Sequence, residues 1–380
     1  MVRLKRFRNS FQIAAFLSVL ITSANAGVIP LFNPSSQVTN ENSFHLKSAT
    51  FLANDPFSLK ALLLDEMKGD VHSRSGNNAA VAIERADVGY SHHKYGYIGY
   101  TFREEIFIDA SQDTVELLYL TQNKKELPVG KRYNLSLCIK AYKMQGIVYA
   151  NNLTLYKSSL WNINVGAGIE GLYATQMQDG YVKGYAVATS KKDYSFAGVS
   201  NYNYTHNYLY DLNVNPSTAY GYSTHLSCVI TRKNLTLTLL ANDLFSELKW
   251  KQNPYSEVYL ESNNKEYDAN GYAKYNPTVW GKEGYMQYKQ KLVKKYRLEA
   301  TYLHKQKFFY GAGSDYVNDF ALPFITMGYH FNHYATIDVG YETRFRSFNV
   351  VSRYKGYQVG IRTDDLFKPS TLGFSIGISF

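Results

Sequence analysis

Alternation of apolar and polar residues dominates the second half of the chain. Near the C-terminus, one face of an extended segment carries Leu372, Phe374, Ile376, Ile378 and Phe380, and glycine or serine takes the other face. A repeat of two residues is typical of a β-strand, and a tilted strand of about 9 to 11 residues crosses a bilayer. The pattern therefore predicts membrane-crossing strands whose apolar side chains face lipid.

Further alternating segments from residue 95 onwards give about sixteen pieces, some short enough to merge. An open sheet of this extent would expose long unpaired edges, so the sheet is expected to close on itself. Bacterial barrels have an even number of strands. We predict an antiparallel transmembrane β-barrel of roughly 12 to 16 strands.

The first residues have the features of a secretory signal peptide covering 1–26. Basic residues come first, an apolar run from Phe11 to Ile21 follows, and Ala24-Asn25-Ala26 is a small-x-small cleavage site. The mature chain would begin at Gly27. An uncleaved anchor is the alternative, although the run is short for a spanning helix.

Two regions do not alternate. Residues 27–78 are predicted to be an irregular plug or periplasmic segment with a short helix between Phe57 and Met67, and residues 79–380 are predicted to form the barrel. Residues 113–126 also favour helix, with Asp113 and Glu116 in the first turn, and such pieces often lie in the lumen as plugs. The polar stretch from Trp250 to Lys282 is the expected extracellular loop.

Composition agrees with a barrel, because the chain has 35 Tyr, 21 Phe and 26 Gly. Aromatic girdles at the two interfaces need such residues.

No window after residue 26 has the ~20 apolar residues of a spanning helix, which excludes a helical membrane protein. The net charge of +10 is spread along strands and turns, so lipid and lipopolysaccharide are expected partners and nucleic acid is not.

The lumen is expected to be charged. If apolar neighbours face lipid, ten charged residues of the second half project inward: Lys289, Lys291, Arg297, Glu299, Asp338, Glu342, Arg344, Arg346, Arg353 and Arg362. An Arg or Lys side chain that faces lipid near the midplane costs about 2 to 4 kcal/mol, so these charged side chains are expected to face the lumen. These residues either set pore selectivity or pair across strands and close the lumen; we favour the second interpretation.

No catalytic motif, cofactor motif or metal-ligand spacing is found. His92 and His93 are adjacent on a predicted strand, hence on opposite faces, and cannot both bind one ion without a bulge. Cys138 and Cys228 are expected on different sides of the wall and therefore unbridged. We predict that the protein is not an enzyme and needs no cofactor or metal.

The segment Leu31-Phe32-Asn33-Pro34-Ser35-Ser36 resembles the N-terminal Asn-Pro-Ala element of the FadL-like superfamily of outer-membrane barrels, which has a TraF-like branch. Asn33 and Pro34 are therefore candidate plug residues. Two further segments, residues 242–245 and 364–367, share an Asx-Asp-Leu-Phe pattern that we expect to form one type of turn, anchored on the barrel rim. Ser35 departs from the Ala of the family pattern.

The terminal strand resembles the assembly signal read by the outer-membrane insertion machinery, carried by Phe374, Ile376, Ile378 and Phe380. Together with the resemblance, this implies the outer membrane of a Gram-negative cell. The expected function is passive transport of small compounds, including hydrophobic ones, or support of an assembly such as conjugative transfer. A surface-interaction barrel without an open pore and a lipid-modifying barrel enzyme remain the alternatives.

Overall fold

A computed structural model describes residues 27–38, 41–63, 71–205, 215, 217–262, 265–267, 273–275, 279–332 and 334–380. The predicted signal peptide, the candidate strand at 206–212 and part of the predicted helix before Met67 lie outside the described residues. No described helix is long and apolar enough to cross a bilayer.

The strands are β1 (Ser43–Asn54), β2 (Asn77–His92), β3 (Gly96–Ser111), β4 (Arg132–Lys157), β5 (Trp161–Ala188), β6 (Tyr194–Tyr204), β7 (Ala219–Arg232), β8 (Leu235–Glu261), β9 (Lys265–Tyr267), β10 (Ala273–Tyr275), β11 (Val279–Gln290), β12 (Lys295–His304), β13 (Phe308–Val317), β14 (Phe320–His330), β15 (Ala335–Glu342), β16 (Ser347–Tyr354), β17 (Tyr357–Thr363) and β18 (Thr371–Ser379). A 3-10 turn spans Pro34–Gln37, and the helices are α1 (Leu59–Leu63) and α2 (Gln112–Gln122).

The main sheet closes into a barrel of 14 antiparallel strands, as the alternation predicts. Closure occurs where β1 pairs with β18, from His45 opposite Ser379 to Ala53 opposite Thr371. Strands β6 and β7 follow one another along β5, so they fill one position of the barrel. Strands β11 and β12 do the same along β8.

The barrel begins earlier in the chain than predicted. Strand β1 lies within residues 27–78, which were expected to be irregular, and β2 begins at Asn77. Their inward side chains include buried Ala49, Phe51, Val81 and Ile83. Because apolar residues occur on both faces, the alternation that reveals the other strands is absent here. The irregular segment is therefore limited to the residues before β1 and the connection from β1 to β2.

Three strands are much longer than a bilayer requires. Strands β4, β5 and β8 have 26, 28 and 27 residues, whereas β13 to β18 have 7 to 11. Each long strand merges pieces that the pattern separates. In β5 and β8 a β-bulge reverses the phase between these pieces, as at Thr175 of β5, which is unpaired opposite Lys143 and Met144 of β4. One end of the barrel is consequently extended on one side.

Helix α2 forms as predicted, with Ser111 as its N-cap accepting a hydrogen bond from the Thr114 N–H. Its Leu117 packs with Tyr133 of β4 and Ala186 of β5. Tyr133 shares the face of β4 that carries exposed Ile147 and Tyr149, which is the outward face. The helix is therefore outside the barrel, and the expectation of a lumenal helix is wrong.

Candidate functional site

The first described residues lie inside the lumen, and we call residues 27–38 the plug. Near its start, the Val28 and Ile29 N–H groups donate to Asp315 Oδ2 at 2.6 and 2.9 Å. The Arg297 guanidinium donates to both Asp315 oxygens, at 2.6 and 2.8 Å, and to the Ile29 carbonyl at 2.9 Å. Arg362 donates to the Gly27 carbonyl at 3.1 Å. Charged lumenal residues thus hold the plug backbone.

Asn33 fixes the middle of the plug. Its Nδ2 donates to the Leu226 carbonyl and to Asn242 Oδ1, both at 2.8 Å, and to the Ala241 carbonyl at 3.3 Å. Asn242 in turn donates to the Phe32 carbonyl at 2.8 Å. Asn33 also caps the 3-10 turn, with Pro34 at the first helical position. One amide side chain therefore joins the plug to β7 and β8.

The plug continues to the opposite end of the lumen. Val38 packs with Tyr97, Val148 and Ala150, which lie near the tight turns of β2–β3 and β4–β5. The Asn152 amide donates to the Val38 carbonyl at 3.0 Å. Strand β1 then starts at this end, beside the C-terminus. The plug therefore runs most of the length of the lumen.

A buried cluster of charged side chains, the lumenal ion cluster, lies beside the plug. Arg103 is 0% exposed and donates five hydrogen bonds to Glu105, Glu170 and Asp243, at 2.6 to 3.1 Å. Lys295 contacts Glu105 Oε2 at 2.6 Å and Asp243 Oδ2 at 2.7 Å. The cluster therefore connects β3, β5, β8 and β12 across the lumen.

Arg85 extends the lumenal ion cluster to β2. It donates to Asp87 at 2.8 and 3.0 Å and to Glu170 Oε1 at 2.7 Å. His225 Nε2 lies 3.1 Å from the same Glu170 oxygen. Every carboxylate of the cluster is thus next to at least one cation, which is the condition for burying charge at tolerable cost.

Glu170, His225 and Asp243 offer ligand atoms within 4.8 Å of one another, the spacing of a metal site. Both carboxylates already accept hydrogen bonds from Arg103, and Arg85 and Lys295 are adjacent. A divalent cation placed there would be repelled by three fixed positive charges. The donor set fits an ion-pair network and does not fit a metal centre.

The structure places only part of the predicted lumenal set inside. Arg297, Asp338, Glu342 and Arg362 are buried, Glu299 is half-buried, and Arg353 pairs with Asp338. Contrary to the prediction, Lys289 is 71% exposed beside Glu247, and Lys291 is exposed between β11 and β12. In this segment the apolar residues face the filled lumen, where Tyr288, Leu292 and Val293 pack in the buried cluster, so the two lysines take the outward face.

Arg344 and Arg346 lie in the turn after β15, which ends at Glu342 and not at residue 346. Arg344 pairs with Asp55 at 2.6 Å at the barrel mouth, and Arg346 is exposed with a φ of 55°. The turn begins where the Glu342 carboxylate accepts the Arg344 and Phe345 N–H groups. Neither arginine lines the lumen.

The lumenal ion cluster was not predicted, because the charged residues that were expected in the lumen all lie at residue 289 or later, whereas the cluster is centred on Arg103. The signal is present: Arg85 and Asp87, and Arg103 and Glu105, are each two residues apart and so share a face of a strand. Asp243 gave no such signal, since it occupies a bulge with a φ of 59° and was expected in a turn.

The rest of the lumen is filled with apolar side chains. Leu172, Met177, Leu248, Trp250 and Phe324 belong to one buried cluster that also contains Val28, Ile29 and Leu31 of the plug. Leu292 and Val293, between β11 and β12, join this cluster, and the Val293 N–H donates to Tyr142 across the lumen at 3.2 Å. The described residues thus form a closed barrel with a polar layer and an apolar layer.

The shared Asx-Asp-Leu-Phe turn does not exist. Residues 242–245 continue β8 through its bulge, whereas residues 364–367 form a loop between β17 and β18. Leu366 and Phe367 are 83% and 88% exposed, so they do not anchor the rim. In that loop the Phe367 and Lys368 N–H groups donate to Asp365 and lower the pKa of its carboxyl.

The terminal strand has the predicted alternation. Leu372 is exposed, Phe374, Ile376 and Ile378 are half-buried, and the residues between them are buried. Phe380 packs its ring 5.3 Å from that of Phe44, and the two residues exchange backbone hydrogen bonds at 2.7 and 3.1 Å. Recognition of this strand by the insertion machinery stays a prediction.

These features define a closed, plugged β-barrel. No protein-family model and no curated protein matches the chain. Similar solved structures include a mutant of the TodX monoaromatic hydrocarbon channel, at 10% identity, covering 91% of this chain and 92% of that one, with a TM-score of 0.40. Another is the Ralstonia pickettii toluene transporter TbuX, at 7% identity, 94% and 95% coverage and a TM-score of 0.29.

A Pseudomonas aeruginosa FadL homologue is also similar, at 8% identity, with 95% and 93% coverage and a TM-score of 0.21. This homologue carries the name of the family that the Asn33–Pro34 element resembles. Such low identities leave the function of this barrel to be inferred from its own residues.

Proposed function

We propose that this protein is an outer-membrane barrel that passively carries small hydrophobic compounds, with the plug as its gate. The observation that carries the proposal is the plug itself, which occupies the lumen and is held there by hydrogen bonds and apolar packing. No described cysteine is bridged, so no disulfide among these residues fixes it. A segment held in this way can be displaced without breaking a covalent bond.

The outer surface supports placement in a membrane. Large apolar side chains are exposed around the whole barrel, among them Ile98, Ile169, Leu298, Ile325 and Ile361. A soluble protein rarely exposes a continuous apolar surface of this size, whereas a lipid-facing wall requires one. A secreted barrel with such a wall belongs in the outer membrane of a Gram-negative cell.

The apolar layer of the lumen supports hydrophobic cargo. Its side chains, including Leu172, Leu248 and Trp250, contact the plug directly through Val28, Ile29 and Leu31. When the plug leaves, this layer would offer an apolar surface to a solute of similar chemistry. The polar layer of ion pairs would hold the surrounding wall in place during that movement.

The test is uptake by cells with an intact lipopolysaccharide membrane, because hydrophobic solutes cross plain phospholipid unaided. Cells producing the protein should take up toluene faster than vector controls. Asn33→Ala, which removes the three hydrogen bonds from the plug to β7 and β8, should take it up faster still. The matched control is Asn134→Ala, at an exposed position of β4, which should equal the parent protein.

The transport proposal would be rejected if the parent protein and Asn33→Ala both gave the same uptake as the vector control while folded barrel was present in normal amounts. That result would favour a structural or surface-interaction barrel. Planar-bilayer recording adds an independent readout, because Asn33→Ala should open more often than the parent protein.

A further inference from the structure

A groove of about 920 Å³ lies in the outer wall where β4, β5, β7, β8, β12 and β13 are neighbours. Its large lining side chains include Leu226, Leu239 and Leu298, and small residues such as Ala167 and Ala241 form its floor. Strand alternation puts these residues on the face opposite that of the inward-facing His225, although the inward-facing Leu240 and Arg297 also contribute to the lining. The groove therefore opens outward, toward lipid.

The floor of this outer groove is also the wall against which the plug is anchored. Asn33 donates to the carbonyls of Leu226 and Ala241, two residues of the floor. Gly166, on the lumenal side of the same floor, leaves no room for a side chain, since a Cβ there would lie 2.7 Å from the Ser35 Cβ. A single layer of backbone thus separates the outer groove from the plug.

We propose that the outer groove holds an acyl chain of a membrane phospholipid and that this chain supports the wall that anchors the plug. The lining is mostly apolar and continuous with the lipid-facing surface, where Leu298 is 50% exposed. A flexible hydrocarbon chain follows such a groove and gains about 25 cal/mol for each Å² of apolar surface covered. The proposal does not depend on what the barrel transports.

Cys228 provides a native reporter, because it lines the outer groove and carries a free thiol. The measurement is its rate of alkylation by N-ethylmaleimide in detergent, in a Cys138→Ser background, with and without stoichiometric phosphatidylethanolamine. Bound lipid should slow alkylation roughly tenfold, corresponding to about 1.4 kcal/mol of protection. The control thiol is provided by Ile361→Cys on β17. This position is outward-facing in the lipid-facing wall and does not line the groove, so lipid should change its alkylation rate less than twofold.

A parallel arm replaces the phospholipid with a free fatty acid. Protection by phospholipid, with or without protection by fatty acid, supports the proposal. Protection by fatty acid alone would assign the outer groove to a free acid and overturn it, as would equal slowing at Cys228 and at the control thiol.

Native mass spectrometry gives a second measurement. Ala241→Trp fills the floor of the outer groove, whereas Ala321→Trp places the same ring on an exposed position of β14. The first variant should lose the lipid retained by the parent protein, and the second should keep it. Because the lost lipid no longer supports the floor, Ala241→Trp should also make the plug more sensitive to protease. Lipid retention equal in both variants would contradict the proposal.

Discussion

Replacing Arg103 should destabilise the barrel more than any change to an exposed cation. Arg103→Met keeps a long apolar side chain but removes the five hydrogen bonds that the guanidinium donates to Glu105, Glu170 and Asp243. Three buried carboxylates would then share Arg85 and Lys295 as their remaining cationic neighbours.

The magnitude follows from this loss of charge pairing. Hydrogen bonds to charged groups contribute about 1.5 to 3 kcal/mol each, but the carboxylates can relax toward the other cations or take up protons. Breaking a buried ion pair from one side costs about 3 to 5 kcal/mol, and we expect Arg103→Met to fall in that range. Arg103→Lys should recover only part of the loss, because an ammonium group cannot reproduce the planar fork of the guanidinium.

The assay is urea unfolding of the refolded barrel in lipid vesicles, followed by tryptophan fluorescence. Lys289→Met is the matched control, since Lys289 is 71% exposed and 3.7 Å from Glu247, a pair that should contribute at most about 1 kcal/mol. Equal free energies of unfolding for Arg103→Met and Lys289→Met would refute the conclusion that the lumenal ion cluster holds the barrel together.

Three further substitutions test particular contacts. Gly166→Ala should push the 3-10 turn of the plug away from β5, since the new Cβ would lie 2.7 Å from Ser35 and from Ser227, and faster proteolysis at residues 34–38 would report it. Gly356→Ala should lower the free energy of unfolding by at least about 1 kcal/mol, because Gly356 has a φ of 82° in the β16–β17 turn; an unchanged urea midpoint would contradict this. Phe380→Ala removes the ring packed on Phe44 and should reduce the amount of heat-modifiable barrel in outer membranes, whereas Phe367→Ala, at an exposed loop residue, should not.

The alternation of residues was sufficient to predict the barrel because lipid selects one face of most strands. In β18 every second residue faces outward and is apolar, so the pattern is complete. The same reasoning fails for β1, whose inward Phe51 contacts Phe345 within the filled lumen. Where the interior is packed with apolar side chains, both faces of a strand need them, and a period of two residues is no longer visible.

The candidate site was predictable in part. Asn33 and Pro34 were recognised as plug residues from a short sequence element, and they do lie in the lumen. The partners of Asn33 could not be found in this way, since the carbonyls of Leu226 and Ala241 are backbone groups that any residue would supply. The orientation of Lys289 was also unpredictable, because the apolar residues next to it pack into the filled lumen and not against lipid.

The unequal strand lengths determine how the barrel lies in the membrane. Strands β13 to β18 have 7 to 11 residues, close to the number needed to cross a bilayer, so this side fixes the level of the hydrocarbon layer. At a rise of about 3.3 Å per residue, strands as long as β4, β5 and β8 must then extend well beyond that layer. Arg297, Asp315 and Arg362 lie near the end of the short strands that is opposite the C-terminus, so the start of the plug lies at that end of the barrel. If the plug is the gate, as proposed, a solute that enters at this end would meet the beginning of the plug first, next to its contacts with Arg297 and Arg362.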